Sequence, residues 1–144
     1  MDFTKKFIKS IKDGDNKTSI IENSKEYSYT DFYNNIKNHY KLINESKIKK
    51  GDLVIIMGDY TFNSLSLFFA LSLNKNIIIP ISSNNKNENQ IKIDESNADW
   101  IVNIDNFEIV KDNNKKSNEN HLINELKISN KDLFKINNEW FNKY

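Results

Sequence analysis

Apolar and polar positions alternate in two rhythms along the chain, and the change of rhythm outlines the elements. At the start, Phe3, Phe7, Ile8 and Ile11 recur as one face of a helix, with charges such as Lys5 and Lys6 between them. Thr18 to Glu22 and Glu26 to Tyr29 flank Asn23-Ser24-Lys25 and read as a β-hairpin. Thr30 is placed to cap the helix that follows, and from Asp31 to about Ser46 Phe32, Ile36, Tyr40 and Ile43 form one apolar stripe. Gly51-Asp52 is the turn that ends this unit.

From residue 53 the apolar runs become continuous. Leu53 to Met57 is short and wholly apolar, the pattern of a parallel strand covered on both faces. Phe62, Leu65, Leu67, Phe68, Phe69, Ala70, Leu71 and Leu73 leave almost no polar face, which predicts a helix buried nearly all round. On that reading Phe68→Asp unfolds the domain. The helix ends at Asn74-Lys75-Asn76, where Asn tolerates a left-handed cap. Ile77 to Ile81 is a second buried strand carrying Pro80, the chain's single proline, at the strand end where a missing N–H costs little. A polar helix from about Glu88 to Ser96 and a strand from Asp99 to Ile104 complete the alternation. Strand, helix, strand, helix, strand predicts an α/β fold. We expect a mainly parallel sheet with βαβ crossovers and helices on both faces, preceded by an N-terminal helix and a β-hairpin. Beyond Asp105 the pattern weakens: Phe107 to Val110 is a candidate short strand, Asn113 to Asn120 a polar loop, and His121 to Ile128 a candidate helix. Trp140, Phe141 and Tyr144 close the sequence and need a surface to cover them. The division expected is residues 1–105 as the main domain and 106–144 as an extension.

Composition narrows the function. The 144 residues fit one domain with a real core. Twenty-one basic residues against 20 acidic ones leave no field of one sign for gathering nucleic acid or an anionic membrane. Every basic residue is Lys, so the guanidinium fork that grips phosphate or carboxylate with two parallel bonds is absent. Without Cys there is no disulfide framework, thiolate metal site or thiol nucleophile, which fits a reducing cytoplasm. The most apolar stretch, Leu65 to Ile81, is interrupted by Asn74-Lys75-Asn76 and falls short of the ~20 residues a bilayer span requires. The start of the chain lacks the unbroken apolar core of a signal peptide. Abundant Asn, Lys and Ile match AT-rich coding, and the Asn residues are interleaved with ordered apolar segments rather than forming a prion-like tract.

Three segments then add a resemblance. Tyr27 to Phe32 (YSYTDF), Lys49 to Met57 (KKGDLVIIM) and Ala70 to Ser82 (ALSLNKNIIIPIS), with Asn63-Ser64 between them, resemble the opening of the adenylate-forming superfamily. That superfamily includes acyl- and aryl-CoA synthetases, luciferases and peptide-synthetase adenylation domains. The likeness runs over about Thr18 to Asp105, and Tyr29, Gly51, Asp52 and Pro80 are the motif positions it carries over, with an architectural role. Where the family has glycines, this chain has Lys47 and Asn74 to Asn76. The resemblance implies a parent enzyme that uses MgATP to convert a fatty, aryl or amino acid to an acyl-adenylate. The acyl group then passes to a CoA or phosphopantetheine thiol. The family's Gly/Ser/Thr-rich ATP loop has no counterpart among Gly14, Gly51 and Gly58, so the chain is expected to stop before it. No catalytic residue, cofactor or metal site is therefore expected in the chain itself, with ATP and Mg²⁺ belonging to the parent. The partners implied are the remainder of the ligase or a partner subunit, and a carrier protein, with neither nucleic acid nor membrane. A free-standing, non-enzymatic interaction module is the alternative, and a receiver-like or flavodoxin-like domain a third reading. Truncation would leave an apolar face or strand edge open and favour self-association.

Several side chains could be read as chemistry. His39, beside the helical stripe, is a conceivable base but reads better as a partly exposed helix residue. His121 has no nearby His or Cys with which to hold a metal. Asp94, Glu95 and Asp99, or Asp105 and Glu108, could be paired carboxylates, although solvated helix ends account for them. Asp59-Tyr60-Thr61 follows the first buried strand, where open α/β sheets place ligands. Phe68 and Phe69 are read as core packing rather than a lipid patch.

Overall fold

The structure, a computed structural model, describes residues 3–84, 86–106 and 108–111. Expectations for Phe107, the loop after residue 112, the helix at His121 and the closing aromatics lie outside the described residues.

Helix α1 (Phe3–Gly14) follows the apolar spacing, with Ile8 and Ile11 buried and Lys6, Lys9 and Lys12 in solvent. Gly14 is its last residue, where a Cβ would overlap the ring of Tyr29 and lie 2.9 Å from that residue's Cβ, and the chain leaves the helix through Asp15 at φ 45°. The chain then forms a hairpin of β1 (Thr18–Glu22) and β2 (Lys25–Ser28), antiparallel, with Glu22 opposite Lys25. The turn is two residues rather than the expected three: Asn23 (φ 48°) and Ser24 (φ 67°) both take the left-handed conformation that a twisted two-residue hairpin requires.

Helix α2 (Tyr29–Glu45) starts at Ser28, not at Thr30. Ser28 Oγ accepts from Asp31 N at 3.0 Å while Asp31 Oδ2 accepts from Ser28 N at 2.9 Å, a reciprocal pair that satisfies two end amides. Thr30 is already inside the helix, where its hydroxyl donates to Asp15 O at 3.1 Å and ties α2 to the end of α1. Its buried positions are Phe32, Ile36, His39 and Ile43. His39 replaces Tyr40 in the expected stripe because seven residues of α-helix return almost to the starting face, whereas eight overshoot it.

The main sheet has the order β4-β3-β5-β6. Strands β3 (Leu53–Met57), β4 (Ile77–Ile81) and β5 (Trp100–Asn103) are parallel, and β6 (Glu108–Lys111) is antiparallel to β5. Helices α3 (Phe62–Leu73) and α4 (Lys86–Ser96) make the two crossovers. The β3 side chains alternate between faces. Val54 and Ile56 join Ile36, Ile43, Leu67, Ala70 and Leu71 in the larger core. Ile55 faces the other way, into a smaller one with Ile81, Ala98 and the half-buried Ile93 of α4. The expected fold is therefore the observed one, with helices on both faces, but the two layers are unequal.

Helix α3 corrects one expectation. Phe69 stacks on Phe7 at 4.4 Å and meets Phe32 edge-on at 5.6 Å, yet Phe68 is 38% exposed. The helix packs on α2 and β4, and Phe68 turns to the side they leave open. Asn74 caps α3 in a right-handed conformation and Lys75 (φ 64°) makes the left-handed exit, as Lys47 (φ 65°) does after α2. At these two helix exits a lysine holds positive φ, not Asn74 or Asn76. No helix among the described residues is long and apolar enough to cross a membrane.

Candidate functional site

The carboxyl end of the parallel strands is where crossovers to opposite faces open a crevice beside the central strand. Here α3 leaves β3 on the large-core face and α4 leaves the neighbouring β4 on the other, so the crevice lies between the loops after β3 and β4, with the loop after β5 beside it. Gly58 forms its floor. Its φ of 141° suits glycine, and a Cβ would lie 3.1 Å from Ile104 Cβ and 3.6 Å from Asp105 Oδ1. Gly58 N donates to Ile81 O at 2.9 Å and Ile104 N donates to Met57 O at 2.9 Å, extending the ladder just past the strand ends.

Around this floor stand short polar side chains. Asp59 Oδ1 lies 3.4 Å from the hydroxyls of both Ser82 and Ser83, the long limit of a hydrogen bond. Tyr60 is 80% exposed. Below them, buried Asn89 of α4 donates from Nδ2 to Ser82 O at 2.6 Å and fixes the loop after β4. The start of α3 is closed off by its own partners. Thr61 and Ser64 form a second capping box, and Glu22 of the hairpin accepts from Phe62 N at 3.1 Å. Tyr27 stacks on Phe62 at 3.8 Å, which seats the hairpin over the same helix end. Glu22 and Asn89 escape sequence reading because their partners lie far away or at a loop carbonyl, and neither belongs to a local motif. The arrangement offers the hydroxyls of Ser82 and Tyr60 and the carboxylate of Asp59 to a polar ligand. The serine hydroxyls meet the Asp59 carboxylate only at the long limit of a hydrogen bond, and no group of His, Cys, Asp or Glu among the described residues could hold a metal ion.

The other candidates fall elsewhere. His39 is 4% exposed, not partly exposed as expected, and burial pulls its pKa below the usual 6.5. Asp94 accepts from Gln90 Nε2 at 2.8 Å on the exposed surface of α4, while Asp99 Oδ2 accepts from Leu53 N at 2.8 Å, so they are not joined in one acid–base pair. Glu108 accepts from Asn106 Nδ2 at 3.2 Å within the turn before β6, and Asp105 N donates to Asn103 Oδ1 at 2.9 Å. His121 lies outside the described residues.

Of the motif positions, Gly51 and Asp52 sit at the opposite end of the sheet from the crevice, at the amino end of β3, while Pro80 precedes its Ser82 lining on β4. Asp52, at the amino end of β3, accepts at Oδ2 from Lys49 N and from Trp100 Nε1, each at 2.8 Å. Gly51 (φ 88°) donates its N–H to Lys75 O at 3.1 Å, joining the turn to the end of α3. Asn76 Nδ2 donates to Lys49 O and Asp52 O in the same network. Tyr29 lies against Gly14, and Pro80 is exposed on the edge strand β4.

No family model matches the sequence, and no curated protein does. Solved structures do match the fold. The N-terminal subdomain of Klebsiella oxytoca NpsA in complex with 3-hydroxyanthranilyl-AMSN is 14% identical with a TM-score of 0.62, covering 68% of this chain and 26% of that one. The same subdomain with 3-hydroxybenzoyl-AMSN is 14% identical with a TM-score of 0.64, covering 76% of this chain and 28% of that one. Holo-AB3403, a four-domain nonribosomal peptide synthetase bound to AMP and glycine, is 18% identical with a TM-score of 0.65, over 72% of this chain and 8% of that one. The chain has the fold of part of these proteins, and spans 26%, 28% and 8% of their respective lengths.

Proposed function

We propose that this chain is the non-catalytic opening part of an AMP-forming ligase. In the parent, a substrate carboxylate oxygen attacks the α-phosphorus of ATP with Mg²⁺ bound. The bond to the β-phosphate breaks, pyrophosphate leaves, and the acyl group of the adenylate moves to a CoA or phosphopantetheine thiol. The chain's own residues build and brace a wall of the cleft: Gly58 floors it, Asp59, Tyr60 and Ser82 line it, and Asp52 holds the far end of the sheet.

One observation carries the reading. The helix, hairpin and parallel β4-β3-β5 sheet match N-terminal adenylating regions in fold, and three sequence segments resemble the same superfamily in the same order. The ligands named for the matched proteins, an aryl group on AMSN and AMP with glycine, support an aryl or amino acid as the carboxylate.

The test is an antibody raised against this chain and used on the cells that make it. The reading expects a polypeptide well above 17.0 kDa whose immunoprecipitate exchanges pyrophosphate into ATP when supplied with aryl or amino acids. A 17.0 kDa product that brings down a separate protein and no exchange activity would establish a free-standing interaction module instead.

A further inference from the structure

The chain's single proline stands where an unguarded sheet would be most adhesive. Among the described residues strand β4 is the outer strand of the parallel sheet, and its sequence, Ile77-Ile78-Ile79-Pro80-Ile81, is uncharged and strongly β-forming. A stretch like this on an open edge is a template for strand addition.

The ladder shows which way each amide points. Ile77 N donates to Asp52 O at 3.1 Å, and Gly58 N donates to Ile81 O at 2.9 Å. In a parallel pair, a residue's N–H and C=O lie on the same side of the strand and alternate along it. Residues 77, 79 and 81 therefore face β3, while the backbone groups of Ile78 and Pro80 face outward. Pro80 has no N–H, so one of the two outward donor positions is blank, and its ring occupies the path of an incoming chain. Pairing with β3 is untouched, because the position opposite Ile56 makes no ladder bond through its nitrogen.

We infer that Pro80 is an edge guard that prevents copies of this chain from adding strand to strand at β4. The inference is independent of the enzymatic reading, since it concerns the sheet edge and not the crevice.

The experiment compares the full chain with Pro80→Val, and with Pro80→Thr as a second variant, by sedimentation velocity over a hundredfold concentration range. Thermal melting and amide hydrogen exchange are followed in parallel. The guard predicts that both variants melt at or above the wild-type temperature. It also predicts that they associate as concentration rises, with at least tenfold slower exchange of the Ile78 amide in the associated state. Variants that stay as monomeric as wild type would overturn the inference. So would association accompanied by a lowered melting temperature, or by unchanged exchange at Ile78, because exposed core rather than a restored edge donor would then be the cause.

Discussion

Asp52 shows how much one side chain at a turn can organise. Its carboxylate joins the Lys49 amide, at the entry to β3, to the indole of Trp100, at the start of β5. Asp52→Ala removes the acceptor for both donors, and hydrogen bonds to a charged group are worth about 1.5–3 kcal/mol each at most. With water reaching this half-exposed site, a loss of about 2 kcal/mol in urea unfolding is expected. His39 makes the second prediction at this scale. Its pKa is lowered in the fold by burial, so on acidification the unfolded chain takes up the proton first. The stability from keeping it neutral is complete above the unfolded value of 6.5 and declines as pH falls below that, until the folded pKa is reached. Urea midpoints at pH 7 and pH 5 should differ more for wild type than for His39→Gln. Equal differences would place the acid sensitivity elsewhere.

Among the elements, α3 decides what the aromatic run Phe68-Phe69 is for. Phe69 lies between Phe7 and Phe32, whereas Phe68 is at the rim. Truncating a buried Phe costs about 3–5 kcal/mol. Phe69→Ala, at a half-buried site, should cost about 3 kcal/mol and Phe68→Ala less than about 1 kcal/mol by denaturant titration. Phe68→Asp should consequently leave a folded protein, contrary to what the unbroken apolar run implies. The run was legible as a helix, but hydrophobicity on every side does not say which side a neighbour covers. The same limit explains His39 and Thr30. Helical period located α2, while the choice between residues 39 and 40, or between Ser28 and Thr30 as cap, rests on a phase and a reciprocal bond that propensity does not fix. The strands were the easiest to read, since β3 and β4 are short apolar runs bounded by turns. The crevice was only half legible. Asp59 to Thr61 were marked by following a parallel strand, whereas Glu22 and Asn89 depend on contacts made only in the folded chain.

For the whole molecule, the unequal layers matter most. The larger core joins α1, α2, α3 and one face of the sheet, and the smaller has α4 as its cover. Ile36, almost fully enclosed, should cost about 3 kcal/mol when cut to Ala, and Ile93 of α4, half-buried, about 1 kcal/mol. Similar losses at the two sites, measured by guanidinium unfolding, would show that α4 is as firmly seated as the helices opposite. On the thin side, Ile91 and Val110 remain exposed. Under the ligase reading, this is the side with least of its own cover to lose when further parts of an enzyme are laid against it.

The tether between Trp100 and Asp52 also gives the fold a built-in reporter. An indole proton held by a carboxylate resonates apart from those in free solvent, so a proton NMR spectrum of a Trp140→Phe chain should contain one such signal. That signal appears only when residues 52 and 100 have been brought together, and it would therefore time the joining of the first and last parallel strands without any added label.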